Sequence, residues 1–179
     1  MYAVQINTKT SSSKYLLIAR FFLVFALVIF FMPLFILPFY NHPCTDDYFC
    51  GVYLNQLGFT GYQQYIYNEN GGRFAATLTG SVFAQNGFLY HTYYLHTLLL
   101  LIFNFISVYL LLQTFSKYVL KEKMTAIHCV VFSLVFYAAA ICSVPEPSTF
   151  LFWFSSAVTY QMPVILIQAE IALLIIFCN

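Results

Sequence analysis

Two adjacent aspartates, Asp46 and Asp47, are the residues of this chain best suited to chemistry. They follow a long apolar run by a few residues, and neighbouring carboxylates repel each other unless a cation offsets their charge. Such a pair can bind Mg²⁺ or Mn²⁺, or supply one metal ligand and one general base. The alternative is structural, with Thr45, Asp46 and Asp47 capping the first turn of a helix. The residue types leave both interpretations open.

Two further charged residues are candidates. Arg73 could hold a phosphate, because a guanidinium fork matches phosphate oxygens, or it could be a surface cation paired with Glu69. Glu170 lies deep in an apolar run, where an ionisable side chain is costly and is a functional candidate by default. Its alternative is a hydrogen bond to a polar neighbour such as Gln168 or Asn104. The cysteines and histidines show no zinc spacing.

The composition excludes a soluble globular domain. Of the 179 residues, 61% are hydrophobic and only 7% are charged, whereas soluble domains carry about 25% charged residues. The 21 phenylalanines and 15 tyrosines suit a chain whose rings lie at the headgroup level of a bilayer. The net charge of +1 gives no electrostatic reason to expect nucleic acid as a partner. Membrane lipid is the partner that the composition predicts.

Four apolar segments predict an all-α membrane protein with one transmembrane domain over residues 1–179. A helix needs about 20 apolar residues to cross a bilayer, and the segments lie at about 16–40, 89–115, 124–144 and 160–178. The start of the fourth segment is the least clearly defined and lies between Phe150 and Tyr160. Outer loops are expected at 41–88 and 145–159. Because the chain stops directly after the fourth apolar run, we expect it to be the N-terminal part of a longer protein.

The basic residues predict the orientation. Six of the seven lysines and arginines precede or open the first segment or lie between the second and third, and Arg73 is the exception. The positive-inside rule places these six in the cytoplasm, with the N-terminus. The first segment is longer than the apolar core of a secretory signal and should remain as an anchor. The loops around Asp46 and Glu146 then face outward.

The first outer loop is too long for a simple connection and should contain structure of its own. Residues from Thr45 onward show helical spacing of apolar side chains, which predicts a short helix along the membrane surface. Gly58 and Gly61 should end it, and a second helical piece is expected over 62–68. Residues 73–84 should approach or re-enter the membrane.

An acidic pair placed outside, just after the first span, resembles the arrangement in GT-C polytopic glycosyltransferases. The segment His42-Pro43-Cys44-Thr45-Asp46-Asp47-Tyr48 is similar to the "DDY/DDF" start of their first periplasmic loop. The chain looks closest to the DUF6056-like group of bacterial membrane proteins, in which a Gly-Arg element, here Gly72-Arg73, follows. A later "E…W…G…Y..P" pattern matches Glu146, Trp153, Tyr160 and Pro163. The glycine of that pattern is replaced within Ser155-Ser156-Ala157, which puts close backbone approach there in doubt.

The resemblance implies a GT-C-like N-terminal part that transfers a sugar from a polyprenyl-phosphate donor. The acceptor would be a glycan, a lipid or a protein at the outer face of the bacterial inner membrane. It implies that Asp46 or Asp47 is the base and that the other aspartate holds a divalent cation or orients the acceptor. Arg73 would stabilise the leaving phosphate, and Glu146, Trp153 and Tyr160 would contact substrate from the second outer loop.

Two other functions fit the same residues. A transporter or lipid flippase fragment is suggested by Glu170 and by the prolines within the spans, and it requires a polar path through the membrane. A non-catalytic membrane subunit would use the polar residues only as helix caps. A folded structure separates the three, because only a glycosyltransferase requires the candidate residues to converge on one outward-facing cavity.

Overall fold

The computed structural model describes residues 8–69, 74–85, 92–122 and 124–179. These residues form helices joined by short turns. Their bounds are α1 Thr8–Ile36 with a 3₁₀ turn Leu37–Tyr40, α2 Thr45–Glu69, α3 Phe74–Ala84, α4 Tyr93–Thr114 with a π-helical turn Phe115–Val119, α5 Ala126–Ser143, α6 Pro147–Phe152 and α7 Phe154–Phe177. The predicted all-α class is confirmed.

Four of these helices are long and apolar enough to cross a bilayer, which confirms the prediction of four spans. They cover Lys14–Tyr40, Tyr93–Val119, Ala126–Ser143 and Phe154–Phe177. Large apolar side chains remain exposed along them; Leu17 is 72% exposed and Ile127 is 76% exposed. A soluble protein rarely leaves so much apolar surface in water, so these faces are lipid contacts.

The elements that position the polar residues gather at one end of the bundle, which we call the site end. The rings of Phe39 and Tyr94 stack with centroids 5.2 Å apart, so the end of α1 lies beside the start of α4. Asn41 donates a side-chain hydrogen bond to the carbonyl oxygen of Phe152, which brings α6 to the same place. The α4 and α7 helices therefore run parallel, both starting at the site end.

The opposite end carries the start of α1 and the turn between α4 and α5, and we call it the basic end. Lys9 and Lys14 lie in the first turns of α1, while Lys117 and Lys121 lie at the α4–α5 turn. The fold thus separates most of the basic residues from the aspartates by the length of a span. Lys123 lies outside the described residues.

Three apolar clusters of described residues hold the bundle together, the smallest of them Leu100, Ala157 and Ile165. One lies at the site end between α2, α3, α4 and α7 and includes Leu54, Tyr62, Tyr93, Phe154 and Val158. Another joins α1, α4, α5 and α6; its buried residues are Leu27, Phe31, Leu101, Tyr137, Ile141 and Leu151. Because the site-end cluster includes residues of the first outer loop, that loop is packed onto the spans as part of the fold.

A single glycine divides the outer-loop helix where the sequence predicted a break. Gly58 has φ 69° and ψ 174°, a backbone conformation that residues other than glycine adopt only with strain. The chain returns to helix directly afterwards, so Gly61 lies inside the second piece and does not end the first. The bend turns the second half of α2 toward α3, and Gln63 then donates a hydrogen bond to the hydroxyl of Ser81, at 2.6 Å.

We expect Gly58→Ala to lower the free energy of unfolding by about 1–3 kcal/mol, because alanine is strained at this φ and ψ. Nothing lies within 4 Å of the added methyl group, so the loss comes from the backbone alone. Gly80→Ala is the matched control: its φ is not positive, its new Cβ would meet Phe154 at an ordinary 3.8 Å, and alanine favours a helix. Thermal unfolding in detergent compares the two variants. Equal stabilities would contradict the conclusion that position 58 requires glycine.

Glu170 lies on an exposed face of α7 and does not point into the bundle. Its predicted neighbour Gln168 is engaged elsewhere, with its side-chain oxygen 2.6 Å from the hydroxyl of Ser107 on α4. The Ser107–Gln168 contact joins two parallel spans through polar side chains, as is common between helices in lipid. A transport path requires polar residues directed inward, and the position of Glu170 gives no support to such a path.

Candidate functional site

The two aspartates have different environments. Asp46 is exposed at the start of α2, whereas Asp47 is fully buried. Adjacent side chains on a helix are about 100° apart, so one of the pair points outward while the other points into the bundle. The sequence left open which aspartate is available for chemistry, and the fold decides it.

Asp47 joins three helices through its carboxylate. Oxygen Oδ2 accepts hydrogen bonds from the backbone N–H of Cys44 at 2.9 Å and from the hydroxyl of Tyr93 at 2.7 Å. Oxygen Oδ1 accepts hydrogen bonds from the backbone N–H of Ser155 at 3.1 Å and from its hydroxyl at 2.8 Å. A carboxylate offers about four acceptor positions, so these four donors satisfy it.

This arrangement caps two helix N-termini with one side chain. The contact to Cys44 is the reach-back half of a capping box, in which the third residue of a helix bonds the amide that precedes it. At α7 the N-cap position is Trp153, whose side chain accepts no capping hydrogen bond. Asp47 accepts from Ser155, and the hydroxyl of Tyr93 accepts from the N–H of Phe154 at 3.0 Å. Asp47 therefore positions α2, α4 and α7 relative to one another.

A cavity of about 650 Å³ opens at the site end beside Asp46. Its walls come from both halves of α2, from α3 and from the first two turns of α7. The lining residues are Asp46, Phe49, Cys50, Tyr53, Tyr62, Tyr65, Ile66, Ala76, Thr77, Gly80, Phe154, Ser155, Val158 and Thr159. Asp46 is the one charged residue among the described residues that line the cavity. The cavity is therefore a mixed aromatic and hydroxyl surface with a single carboxylate at its edge.

Ser155 connects the cavity to the buried carboxylate. Its hydroxyl lines the cavity and donates to Asp47, which leaves the lone pairs of its oxygen as the remaining hydrogen-bonding capacity. Thr159 lies one turn along α7 and donates its hydroxyl proton to the carbonyl oxygen of Ser155 at 2.7 Å. Both residues line the cavity, and both hydroxyl protons are donated to protein acceptors, so their oxygens can only accept further hydrogen bonds.

The predicted convergence of the candidate residues on one cavity is not seen for the other described ones, which are absent from this lining. Glu146 is exposed at the N-terminus of α6, and Tyr160 is 56% exposed on α7. Trp153 is half-buried at the α6–α7 junction. The residues next to Trp153 and Tyr160 line the cavity instead; they are Phe154, Ser155 and Thr159. Arg73 lies outside the described residues, and α3, which begins at the next residue, contributes Ala76, Thr77 and Gly80 to the wall.

Three tyrosines of the loop between the first two spans line the cavity, and no sequence motif marked them. Tyr53, Tyr62 and Tyr65 lie on either side of Gly58, and only the bend at that glycine brings them to one wall. Burial raises the pKa of the Tyr62 hydroxyl, so this phenol stays neutral at physiological pH. The available signal was the recurrence of tyrosine at short intervals in this loop, at positions 48, 53, 62, 65 and 67.

Among the residues that the structure describes, no group of three histidine, cysteine, aspartate or glutamate side chains is close enough to hold a metal ion. Asp47 is occupied by its four donors, so Asp46 is the carboxylate with free oxygens. Binding of Mg²⁺ or Mn²⁺ by Asp46 and Asp47 stays a prediction. Such ions are typically held by one or two carboxylates together with phosphate oxygens of a substrate.

The two cysteines that flank the aspartates are free thiols in different environments. Cys44 is exposed, and Cys50 is buried against the cavity. We expect a variant that retains only Cys44 to react with a maleimide at least about tenfold faster than one that retains only Cys50, because the thiolate is the reactive form. Burial raises the pKa of Cys50, so its reaction should accelerate only at a pH above that of an ordinary thiol. Equal rates at pH 7 in detergent would contradict this placement.

Comparisons of this chain with protein-family models, with curated proteins and with solved structures give no match. The resemblance to GT-C glycosyltransferases therefore stays a prediction, and function has to be argued from the site itself.

Proposed function

We propose that this chain is part of a membrane glycosyltransferase that moves a sugar from a polyprenyl-phosphate donor to an acceptor. The acceptor would be a glycan, a lipid or a protein at the outer face of the bacterial inner membrane. One observation carries the proposal: a cavity large enough for a sugar lies at the end of the spans, with an exposed carboxylate at its edge. Apolar lining residues such as Ile66 and Val158 suit the first carbons of a lipid tail.

The proposed step gives Asp46 the role of general base. Asp46 removes the proton of the acceptor hydroxyl, and the acceptor oxygen attacks the anomeric carbon of the donor sugar. The bond between that carbon and the phosphate oxygen breaks, and the polyprenyl phosphate leaves with the electron pair. Asp46 carries the proton away. Asp47 acts as a positioning residue, because it anchors the start of α2 on which Asp46 lies.

Arg73 completes the proposal as the cation that stabilises the leaving phosphate, since negative charge develops there as the bond breaks. Its support is its place directly before α3, whose first turns line the cavity. Glu146, Trp153 and Tyr160 are assigned to the acceptor side, outside the cavity lining, where an exposed glutamate and tyrosine are available for a larger substrate. Binding a divalent cation is the alternative role for Asp46: if it held the cation together with phosphate oxygens of the donor, another group would be the base.

The proposal requires the site end to face outward and the N-terminus to lie in the cytoplasm. The positive-inside rule supports this orientation, because the basic end carries Lys9, Lys14, Lys117 and Lys121. A membrane-impermeant maleimide added to intact cells should label a variant that retains only Cys44. A second variant, cysteine-free except for a new cysteine at Lys121, should be labelled only after the membrane is opened. The reverse pattern would place Asp46 in the cytosol and overturn the proposal.

The function itself is tested with the gene that encodes this chain in its natural length. Membranes that contain the protein should transfer a radiolabelled sugar from a synthetic polyprenyl-phosphate donor to endogenous acceptors, and membranes of a deletion strain should not. Asp46→Asn should abolish the transfer while the protein level stays unchanged. Transfer that is equal with and without the gene, or equal in the variant, would leave a non-catalytic subunit as the better description.

A further inference from the structure

One wall of the cavity is a stack of three aromatic rings from α2. Phe49 and Tyr53 lie with centroids 6.3 Å apart and planes 25° apart, and Tyr53 and Tyr65 lie 4.9 Å and 20° apart. All three rings line the cavity, and we call them the aromatic wall. Tyr65 belongs to the half of α2 beyond Gly58, so the bend in the helix builds the stack.

The tyrosines of this wall are also joined through their hydroxyls. Hydrogen bonding of the Tyr65 side chain with Tyr53 raises the pKa of Tyr65, because it favours the neutral phenol. Tyr53 has a ring on either side, whereas Phe49 and Tyr65 end the stack. An aromatic face of this kind matches the apolar C–H face of a pyranose ring.

The rest of the lining favours a ligand rich in hydroxyl donors. Ser155 and Thr159 line the cavity and donate their hydroxyl protons to protein acceptors, so their oxygens remain as hydrogen-bond acceptors. Asp46 adds a carboxylate, which is also an acceptor. A sugar hydroxyl can donate to all three groups, whereas a ligand carboxylate would face acceptors and a like charge, which is unfavourable.

From these contacts we infer that the aromatic wall binds the sugar ring of the substrate, and that this ring carries no carboxylate. The inference rests on the proposed function and adds to it the residues that hold the sugar and the class of sugar. Uncharged hexopyranoses fit both the stacked rings and the acceptor-lined side. Uronic acids and sialic acids do not.

The test uses binding, measured separately from transfer. Purified protein in detergent is titrated with methyl hexopyranosides and followed by saturation-transfer NMR, with the methyl glycoside of glucuronic acid as the charged comparison. We expect Tyr65→Leu to weaken hexoside binding by about tenfold, because the ring face is lost. Tyr65→Phe retains the ring and should lose less than about threefold. Glucuronide should bind at least about tenfold more weakly than the matching glucoside.

Tyr67→Leu is the matched control, because Tyr67 is 66% exposed on the same half of α2 and is absent from the described lining. It should bind hexoside as the wild type does. Unchanged unfolding temperatures show that the Tyr65 variants are folded, and Tyr53→Leu provides a second test of the wall. Three results would each overturn the inference: wild-type affinity for hexoside in both Tyr65→Leu and Tyr53→Leu, no hexoside binding by the wild type, or equal affinity of the wild type for glucuronide and glucoside.

The two proposals fail in different ways. If hexoside binding depends on Tyr65 while Asp46→Asn leaves transfer unchanged, the proposed reaction is wrong and the sugar site remains. If transfer depends on Asp46 while Tyr65→Leu and Tyr53→Leu bind hexoside normally, the proposed reaction still holds and the aromatic wall is not the sugar site.

Discussion

Replacement of Asp47 by alanine is expected to lower the free energy of unfolding by about 3–5 kcal/mol, the largest stability effect that we predict for this chain. Four donors lose their acceptor at once: the amides of Cys44 and Ser155 and the hydroxyls of Tyr93 and Ser155. The Tyr93 contact is buried and the other three are partly buried, and a buried donor that loses its partner costs more than the average hydrogen bond contributes. The starts of α2 and α7 should loosen together.

Thermal unfolding in detergent or nanodiscs measures this effect, with Asp46→Ala as the neighbouring control. The exposed Asp46 gives up only a charge near a helix N-terminus, which contributes about 0.3–1 kcal/mol. The loss in free energy of unfolding for Asp47→Asn should lie between those for Asp46→Ala and Asp47→Ala. Asparagine retains one acceptor oxygen, but its amide group faces existing donors. If Asp46→Ala and Asp47→Ala were equally stable, the buried carboxylate would not be the anchor that its contacts indicate.

Asp46→Asn is expected to lower the rate of sugar transfer by about 10²–10⁴-fold, the contribution typical of a general base. The amide has nearly the same shape as the carboxylate but cannot accept the proton of the acceptor hydroxyl. Since Asp46 is exposed, the variant should fold and insert normally. Initial rates with a labelled polyprenyl-phosphate sugar measure the effect at saturating donor.

The pair of aspartates supplies the control for this experiment. A loss caused by the missing base lowers kcat at unchanged unfolding temperature, whereas a loss caused by disturbed structure accompanies a lower unfolding temperature, as expected for Asp47→Ala. Asp46→Glu returns a carboxylate at a slightly different distance and should recover part of the rate. A rate within about threefold of the wild type in Asp46→Asn would show that another group is the base.

The sequence alone determined the class of the protein and the number of its spans. Both depend on local properties: an apolar run of about 20 residues has to be helical in a bilayer, whichever neighbours it meets. The break at Gly58 was predictable for the same reason, since glycine tolerates backbone conformations that other residues avoid. The grouping of basic residues at one end also follows from their order along the chain.

Only the tertiary structure decided which residues form the site. Asp46 and Asp47 are indistinguishable by type and position, and their roles separate because Asp47 meets Tyr93 and Ser155, which lie 46 and 108 residues away. The aromatic wall depends on the angle of the bend at Gly58, which no motif encodes. Trp153 and Tyr160 belong to the predicted pattern, yet Phe154, Ser155 and Thr159 line the cavity. A helix turns each residue by about 100°, and the packing partners select the face that turns inward.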